Sequence, residues 1–154
     1  FLYFKYFLLL IYMTNSKEKY LKYKLKYLNL KKIKSDQIGG KKYKESLSEP
    51  WFSLIKLGLK TVEGRKNKRI FKEMRVNDII EWTNNNFAPR KILTRITQKI
   101  EYDTFREYLE SEGLNKCLPG MTNIEDGLSV YFKYYTKEDE KQYGVIAIRM
   151  ELIT

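Results

Sequence analysis

Histidine is absent from the 154-residue chain. That absence removes imidazole as a general base, the Ser-His-Asp and Cys-His nucleophile systems, and most zinc sites. Cysteine is nearly absent: a lone Cys117 closes no internal disulfide, so nothing points to passage through an oxidising compartment. With no histidine beside it, Cys117 reads as a small buried residue rather than a nucleophile. No metal and no cofactor is expected. Proline and glycine are scarce, 3 and 8 residues, so each reads as a break in the chain. A long apolar run is missing too. FLYFKYFLLLIYM, residues 1–13, is interrupted by Lys5 and falls short of the roughly 20 residues that span a bilayer. No small-residue cleavage site follows it. We read Met13 as the true start, residues 1–12 as upstream of it, and the protein as intracellular rather than secreted.

What the chain does have is positive charge, unevenly placed. The formal net charge is +11. Residues 1–48 carry 12 Lys against 3 acids, whereas residues 49–154 carry 18 Lys and Arg against 16 acids. Within the second part, 49–75 holds 8 basic residues and 3 acids, and 76–154 holds 10 and 13. The positive excess therefore lies in a leader, 1–48, and in the first segment of a folded domain, 49–154. Lys, Asn, Ile, Tyr and Phe share AT-rich codons, so codon bias also supplies lysine.

The leader core, KEKYLKYKLKYLNLKKIKSDQIGGKK, contains no Gly or Pro between 17 and 34. As a helix it puts Tyr20, Tyr23, Tyr27 and Leu30 on one stripe and Leu21, Leu25 and Leu28 on another. Alternation from Leu21 to Tyr27 leaves a strand open. Gly39-Gly40 reads as a hinge. Such a basic arm suits nucleic acid, an anionic membrane surface or a partner groove, or is simply solvated. The stretch YLKYKLKYLNLKK followed by QIGG resembles leaders found in front of unrelated proteins of giant DNA viruses. That resemblance implies a packaging or targeting role, in a virion or host cytoplasm, with proteolysis after Gly39-Gly40.

From Glu49 onward the pattern is that of a folded domain. EPWFSLIKLG predicts a helix beginning at Pro50, with Trp51, Leu54, Ile55 and Leu57 in helical spacing and Gly58 as its stop. KTVEGR, VNDIIEWT and KILTRITQKIEY read as strands, the second entered through a turn at 76–78 and followed by a loop at 84–89. DTFREYLESEGL is an amphipathic helix closed by Gly113. CLPGMT is a turn, NIEDGLSVYFKYYTKEDEKQYG a second helical stretch, and GVIAIRMELI a final central strand. Interleaved strands and helices in about one hundred residues predict an α+β fold, a small β-barrel with flanking helices behind a basic, partly helical tail.

The pieces EPWFSLIKLGLKTVEGR, VNDIIEW, FREYLESEGL…LPG…IEDGLSVYFKYY and KQYGVIAIRM, taken in that order, resemble the ASCH domain family of the PUA-like superfamily. The resemblance covers Glu49 to about Ile153. Its signature, G-x-K-x-x-E-x-R, is met by Gly58, Lys60, Glu63 and Arg65. The resemblance implies a PUA-like barrel whose cleft is lined by that signature and takes RNA or a nucleotide-like ligand. The chemistry of the residues agrees. Arg offers a planar fork to a phosphate or base edge and Lys a mobile point charge. On a regular strand, Lys60 faces away from Glu63 and Arg65, so a bulge or turn near Gly64 is needed to gather the three. Once gathered, they are either a ligand site or a structural ion-pair network. Trp51, Trp82, Tyr102 and Tyr143 are candidate stacking faces, although Trp82 in a strand suits the core better. Lys66, Lys68, Arg69, Lys72 and Arg75 form a basic exit, either solvated or touching phosphate.

Some members of this family hydrolyse acetylated cytidine with a Lys, a nucleophilic Thr three residues later, and a Glu from a following helix. Lys60 and Glu112 match two of these. Glu63 stands at the Thr position, and Thr61 lies on the opposite strand face, so the acyl-enzyme route lacks its nucleophile. Water attack assisted by Lys60, with Glu63 or Glu112 as base, is the remaining chemical possibility. The first expectation is thus an RNA- or modified-nucleotide-binding module. A small hydrolase of modified nucleosides or RNA is the alternative, and a virion-packaged protein acting through its tail is the third.

Overall fold

The computed structural model describes residues 21, 22, 24, 40–86 and 88–153. It divides into two units, Phe1–Gly39 and Gly40–Thr154. In the first, residues 21, 22 and 24 are helical; the rest of that unit, with the expectations about Met13 and Gly39, lies outside the described residues.

The second unit begins with a strand that the sequence conceals. Lys42–Ser46, β1, pairs in parallel with β3, Ile79–Asn84. The expected boundary at 48/49 is therefore too late. Its composition, KYKES, looks like more leader, but lysine on an outermost strand is a common protection against edge-to-edge association. Gly40 belongs to the fold as well. A Cβ there would lie 2.1 Å from the Asn77 carbonyl oxygen, so this glycine is required for close approach. Asp78 accepts from the Lys41 and Arg75 amides at 2.8 and 2.7 Å and so ties β1 to the turn before β3.

Helix α1, Trp51–Lys56, buries Trp51, Phe52 and Ile55. It ends in a Schellman turn: Gly58, at φ 72, donates to Ile55 O at 2.9 Å and Leu59 donates to Leu54 O at 3.0 Å. Strand β2, Val62–Lys66, follows, then the short helix α2, Ile70–Glu73, and β3. Strand β4 is the long run Arg90–Tyr102, and Val145–Ile153 is β5. The strand order β1-β3-β4-β5-β2 makes one mixed sheet, curled into a half-barrel. Strand β5 pairs with both β4 and β2, so it is interior as expected.

The register assigns the two faces. Ile80 and Trp82 on β3, Ile92, Thr94 and Ile96 on β4, and Ile146 and Ile148 on β5 share the concave face with Glu63 and Arg65 on β2. Trp82 is fully buried and its indole N–H donates to Thr94 Oγ1 at 2.9 Å. Each large apolar side chain of this core contributes on the order of 1.5–3 kcal/mol. A one-residue bulge between Ile96 and Gln98 flips the later half of β4. Tyr102 consequently points to the convex face.

That face is covered by α3, Phe105–Glu112, which buries Phe105, Tyr108 and Leu109. Gly64 and the Tyr108 ring meet there, with room for no Cβ: it would sit 2.6 Å from the ring. Gly113, at φ 91, leads into the short helix α4, Leu114–Cys117. The single helical stretch expected from 123 to 144 is two helices, α5, Ile124–Tyr131, and α6, Lys137–Tyr143. They separate because Thr136 and Asp139 form a capping box that starts a new helix.

Candidate functional site

Lys60 is placed by the end of α1. Its amide, like that of Leu59, donates to Leu54 O, at 3.1 Å. The chain is therefore still turning at Lys60, and regular strand begins only at Val62. This turn, and not a bulge at Gly64, carries Lys60 round to Glu63; Gly64 sits in regular register opposite Ala147. Lys60 is only 2% exposed. Its ammonium donates to Val62 O at 2.8 Å and to Cys117 O, and lies 2.9 Å from Glu63 Oε2. All three of its protons thus have acceptors.

Glu63 Oε1 lies 2.8 Å from Arg65 Nε. Burial alone would raise the Glu63 carboxyl, but Lys60 and Arg65 outweigh it and hold the carboxyl below its ordinary value. Two cations on one carboxylate leave the triad with one positive charge. That charge is presented by Arg65. The guanidinium is also held by the Tyr135 side chain, and Nη2 has a long 3.4 Å bond to Ser46 O on the opposite sheet edge. The guanidinium lies over Phe71 and Trp82, 5.2 and 5.4 Å from their ring centroids. The fork is thus positioned by two rings, a carboxylate and a tyrosine side chain.

It faces a cleft of about 240 Å³ between the two open sheet edges. Trp51, Lys60, Glu63 and Arg65 are among the residues that line it. So do residues the sequence reading missed: Ser46 to Ser48, and Tyr131, Tyr134 and Tyr135. The run YFKYY was read as the interior of one helix; its aromatic density was the available signal. Tyr131 is anchored from behind by Tyr108, hydroxyl to hydroxyl at 3.2 Å. Burial pushes both hydroxyls well above the ordinary tyrosine pKa. Tyr134 is 63% exposed, an aromatic face at the rim.

The other candidates lie elsewhere. Gly58 serves the Schellman turn and is not among the cleft's lining. Trp82 belongs to the core beneath Arg65. Glu112 is buried with both oxygens engaged, accepting from Tyr102 Oη and Arg149 Nε, each at 2.8 Å. Arg149 pairs with Val62, which alternates with Glu63, so Glu112 meets the sheet from the opposite face. The Tyr102 hydroxyl, buried and facing that carboxylate, is pushed up to about 12. Cys117 is buried and its thiol is pushed up to about 11.

Lys66, Lys68 and Arg69 leave the cleft and border a second cavity, of about 430 Å³, with Glu45, Phe71 and Tyr135. Lys66 bonds Asp139 Oδ1 at 2.6 Å and Lys68 bonds the Tyr143 hydroxyl at 2.7 Å. Tyr143 is thus a partner of the basic exit rather than a wall of the cleft. Among the described residues, no group of His, Cys, Asp and Glu is arranged to hold a metal, and no helix is long and apolar enough to cross a membrane.

The archaeal protein PF0455 from Pyrococcus furiosus has a solved structure 36% identical to this chain, with a TM-score of 0.61, covering 73% of this chain and 97% of its own. The crystal structure of hypothetical protein PH0355 is similar at 36% identity and a TM-score of 0.66, over 73% of this chain and 99% of its own. A serine-to-alanine mutant of ZmASCH from Zymomonas mobilis shares the fold at 17% identity, with a TM-score of 0.53, over 73% of this chain and 69% of its own. No curated protein matches. The ASCH domain model matches residues 46–154, beginning within β1 and spanning every later element. That match, over more than half of the chain, shows that the chain belongs to the ASCH domain family.

Proposed function

We propose that the cleft of this ASCH domain binds RNA or a modified nucleotide, with Arg65 as the ligand-facing residue. The observation that carries this reading is the Arg65 guanidinium, which leaves the triad with a net positive charge and is held over aromatic rings in the wall of an aromatic-lined cleft. Lys60 acts differently, neutralising Glu63 and fixing the backbone at Val62 and Cys117. Trp51 and the tyrosines supply faces on which a base stacks, at roughly 1–3 kcal/mol per base. The family connection, PUA-like and related to RNA-binding and hydrolytic proteins, supports the same reading.

Hydrolysis finds less support in the geometry. Glu63 occupies the position of the family nucleophile and is committed to two cations. Thr61 is exposed and not part of the cleft wall, and Glu112 lies across the sheet. A function carried by the leader concerns residues outside those described.

Titration of the full chain with nucleosides and nucleoside monophosphates, acetylcytidine included, tests the proposal through the fluorescence of its two tryptophans, Trp51 in the cleft wall and Trp82 beneath Arg65. Arg65→Ala is expected to weaken binding roughly tenfold or more, the scale of a charged hydrogen bond. Equal affinity in Arg65→Ala overturns the proposal, and conversion of acetylcytidine to cytidine by the wild-type protein would restore the hydrolase.

A further inference from the structure

The cleft and the second cavity share a wall. Tyr135 lines both, and Arg65 bridges them, bordering the cleft while lying over Phe71 of the second cavity. Sites that enclose a small ligand commonly measure about 300–1,000 Å³; the cleft alone is below that range, and the second cavity extends it.

The two chambers differ in chemistry. The first has several aromatic side chains and a single cationic fork. In the second, Lys66, Lys68 and Arg69 come from the end of β2 and the turn after it. Lys66 is neutralised by Asp139. Lys68 makes no direct ion pair among the described residues: it bonds the Tyr143 hydroxyl, with the ring centroid 4.2 Å from Nζ, and feels Asp139 only at longer range. The Arg69 side chain has no hydrogen bond or ion pair among the described residues. Arg69 also sits at φ 54 and ψ −134, a backbone conformation natural to glycine. Strain of that kind concentrates at ligand-binding positions. Two cations without a direct ion pair among the described residues thus border a chamber that adjoins the aromatic cleft at Tyr135.

We infer that the second cavity receives the phosphodiester and adjoining nucleotide of a strand whose neighbouring base occupies the first. The ligand class is then an oligonucleotide, not a free nucleoside. Lys68 and Arg69 grip the phosphate, and Phe71 and Tyr135 face the adjoining sugar and base. Glu45 borders the same cavity from β1, an acceptor suited to a ribose hydroxyl or an exocyclic amine. This inference rests on the proposed nucleotide-binding role of the cleft and names the length of ligand it takes.

The experiment compares the four nucleosides with the four homodinucleoside monophosphates on the full chain, in the wild type and in Lys68→Gln/Arg69→Gln. Those two residues lie on the surface strip beyond β2, and the melting midpoint of the variant checks that the fold is kept. The preferred dinucleoside monophosphate is expected to bind roughly tenfold more tightly than its nucleoside, in line with one or two charge-assisted contacts. In the double variant that gain disappears while nucleoside affinity is unchanged. A gain that persists in the double variant, for instance because the leader supplies it, overturns the inference, as does equal affinity for nucleoside and dinucleotide in the wild type. Nucleoside binding with either of those outcomes leaves the cleft's proposed role standing. Absence of binding by every probe removes both.

Discussion

Glu63 sets two opposed forces against each other, and its removal is the most informative single change. Glu63→Ala leaves the Lys60 ammonium buried with no counter-charge. Breaking a buried pair by removing one partner costs about 3–5 kcal/mol, and chemical denaturation is expected to show a loss of that order. The same carboxyl gives a pH signature. Its folded pKa is lowered from an unfolded value near the ordinary ~4.3. The stability it contributes is therefore complete above that value and is lost as pH falls through the lowered folded pKa. Melting temperature should decline below about pH 4, and Glu63→Gln should lack that part of the decline; an unchanged acid limb in Glu63→Gln would assign it to other carboxylates. Gly64→Ala drives a methyl into the Tyr108 ring, and overpacking of this kind costs about 1–3 kcal/mol. The residues of the triad were legible in the sequence because their types and spacing are distinctive. Their division of labour was not, because it depends on a turn at the end of α1 that buries Lys60 completely while Arg65 stays partly open in the cleft wall.

At the scale of elements, turns and caps decide what the residues can do. Thr136→Ala removes the side chain that caps α6 and is expected to cost about 1 kcal/mol; a smaller shift in denaturation midpoint would mean that Asp139 holds the helix start alone. Helix α6 carries Asp139, so the loss should also loosen the Lys66 ion pair. Arg69→Gly relaxes the backbone before α2 and is expected to raise stability by about 1 kcal/mol, while lowering affinity for the dinucleotide. That opposition, read by thermal melting and titration on one variant, separates strain held for binding from incidental strain. Strands and helices with apolar periodicity, such as VNDIIEWT and DTFREYLESEGL, were readable from sequence. The split between α5 and α6 was written in T-K-E-D but masked by the continuous helical composition around it. Strand β1 was hidden because an outermost strand needs no apolar alternation of its own.

For the whole molecule, the position of β1 changes where the domain can be cut. A fragment beginning at Gly40 retains β1 and the Asp78 contacts; one beginning at Glu49 exposes the edge of β3 and removes Ser46 and Leu47 from the cleft wall. The first is expected to melt cooperatively near the full chain and the second well below it, by calorimetry; equal midpoints would make β1 dispensable. Charge follows the same division. Residues 1–39 hold 9 Lys and 2 acids, +7 of the +11, so salt-sensitive attraction to any polyanion should fall in the fragment from Gly40, while the difference between wild type and Arg65→Ala persists. The expected barrel was legible from the alternation of elements, whereas the gap between its edges depends on curvature that no local pattern encodes. That gap has a consequence in time. Among the described residues, the strand carrying Glu63 and Arg65 has no sheet neighbour except Val145–Ile153, about eighty residues later in the chain. During synthesis Glu63 and Arg65 must wait, without a strand partner, until Val145–Ile153 leaves the ribosome, and termination between Arg65 and Val145 yields a chain with all three residues of the triad and no sheet to hold them.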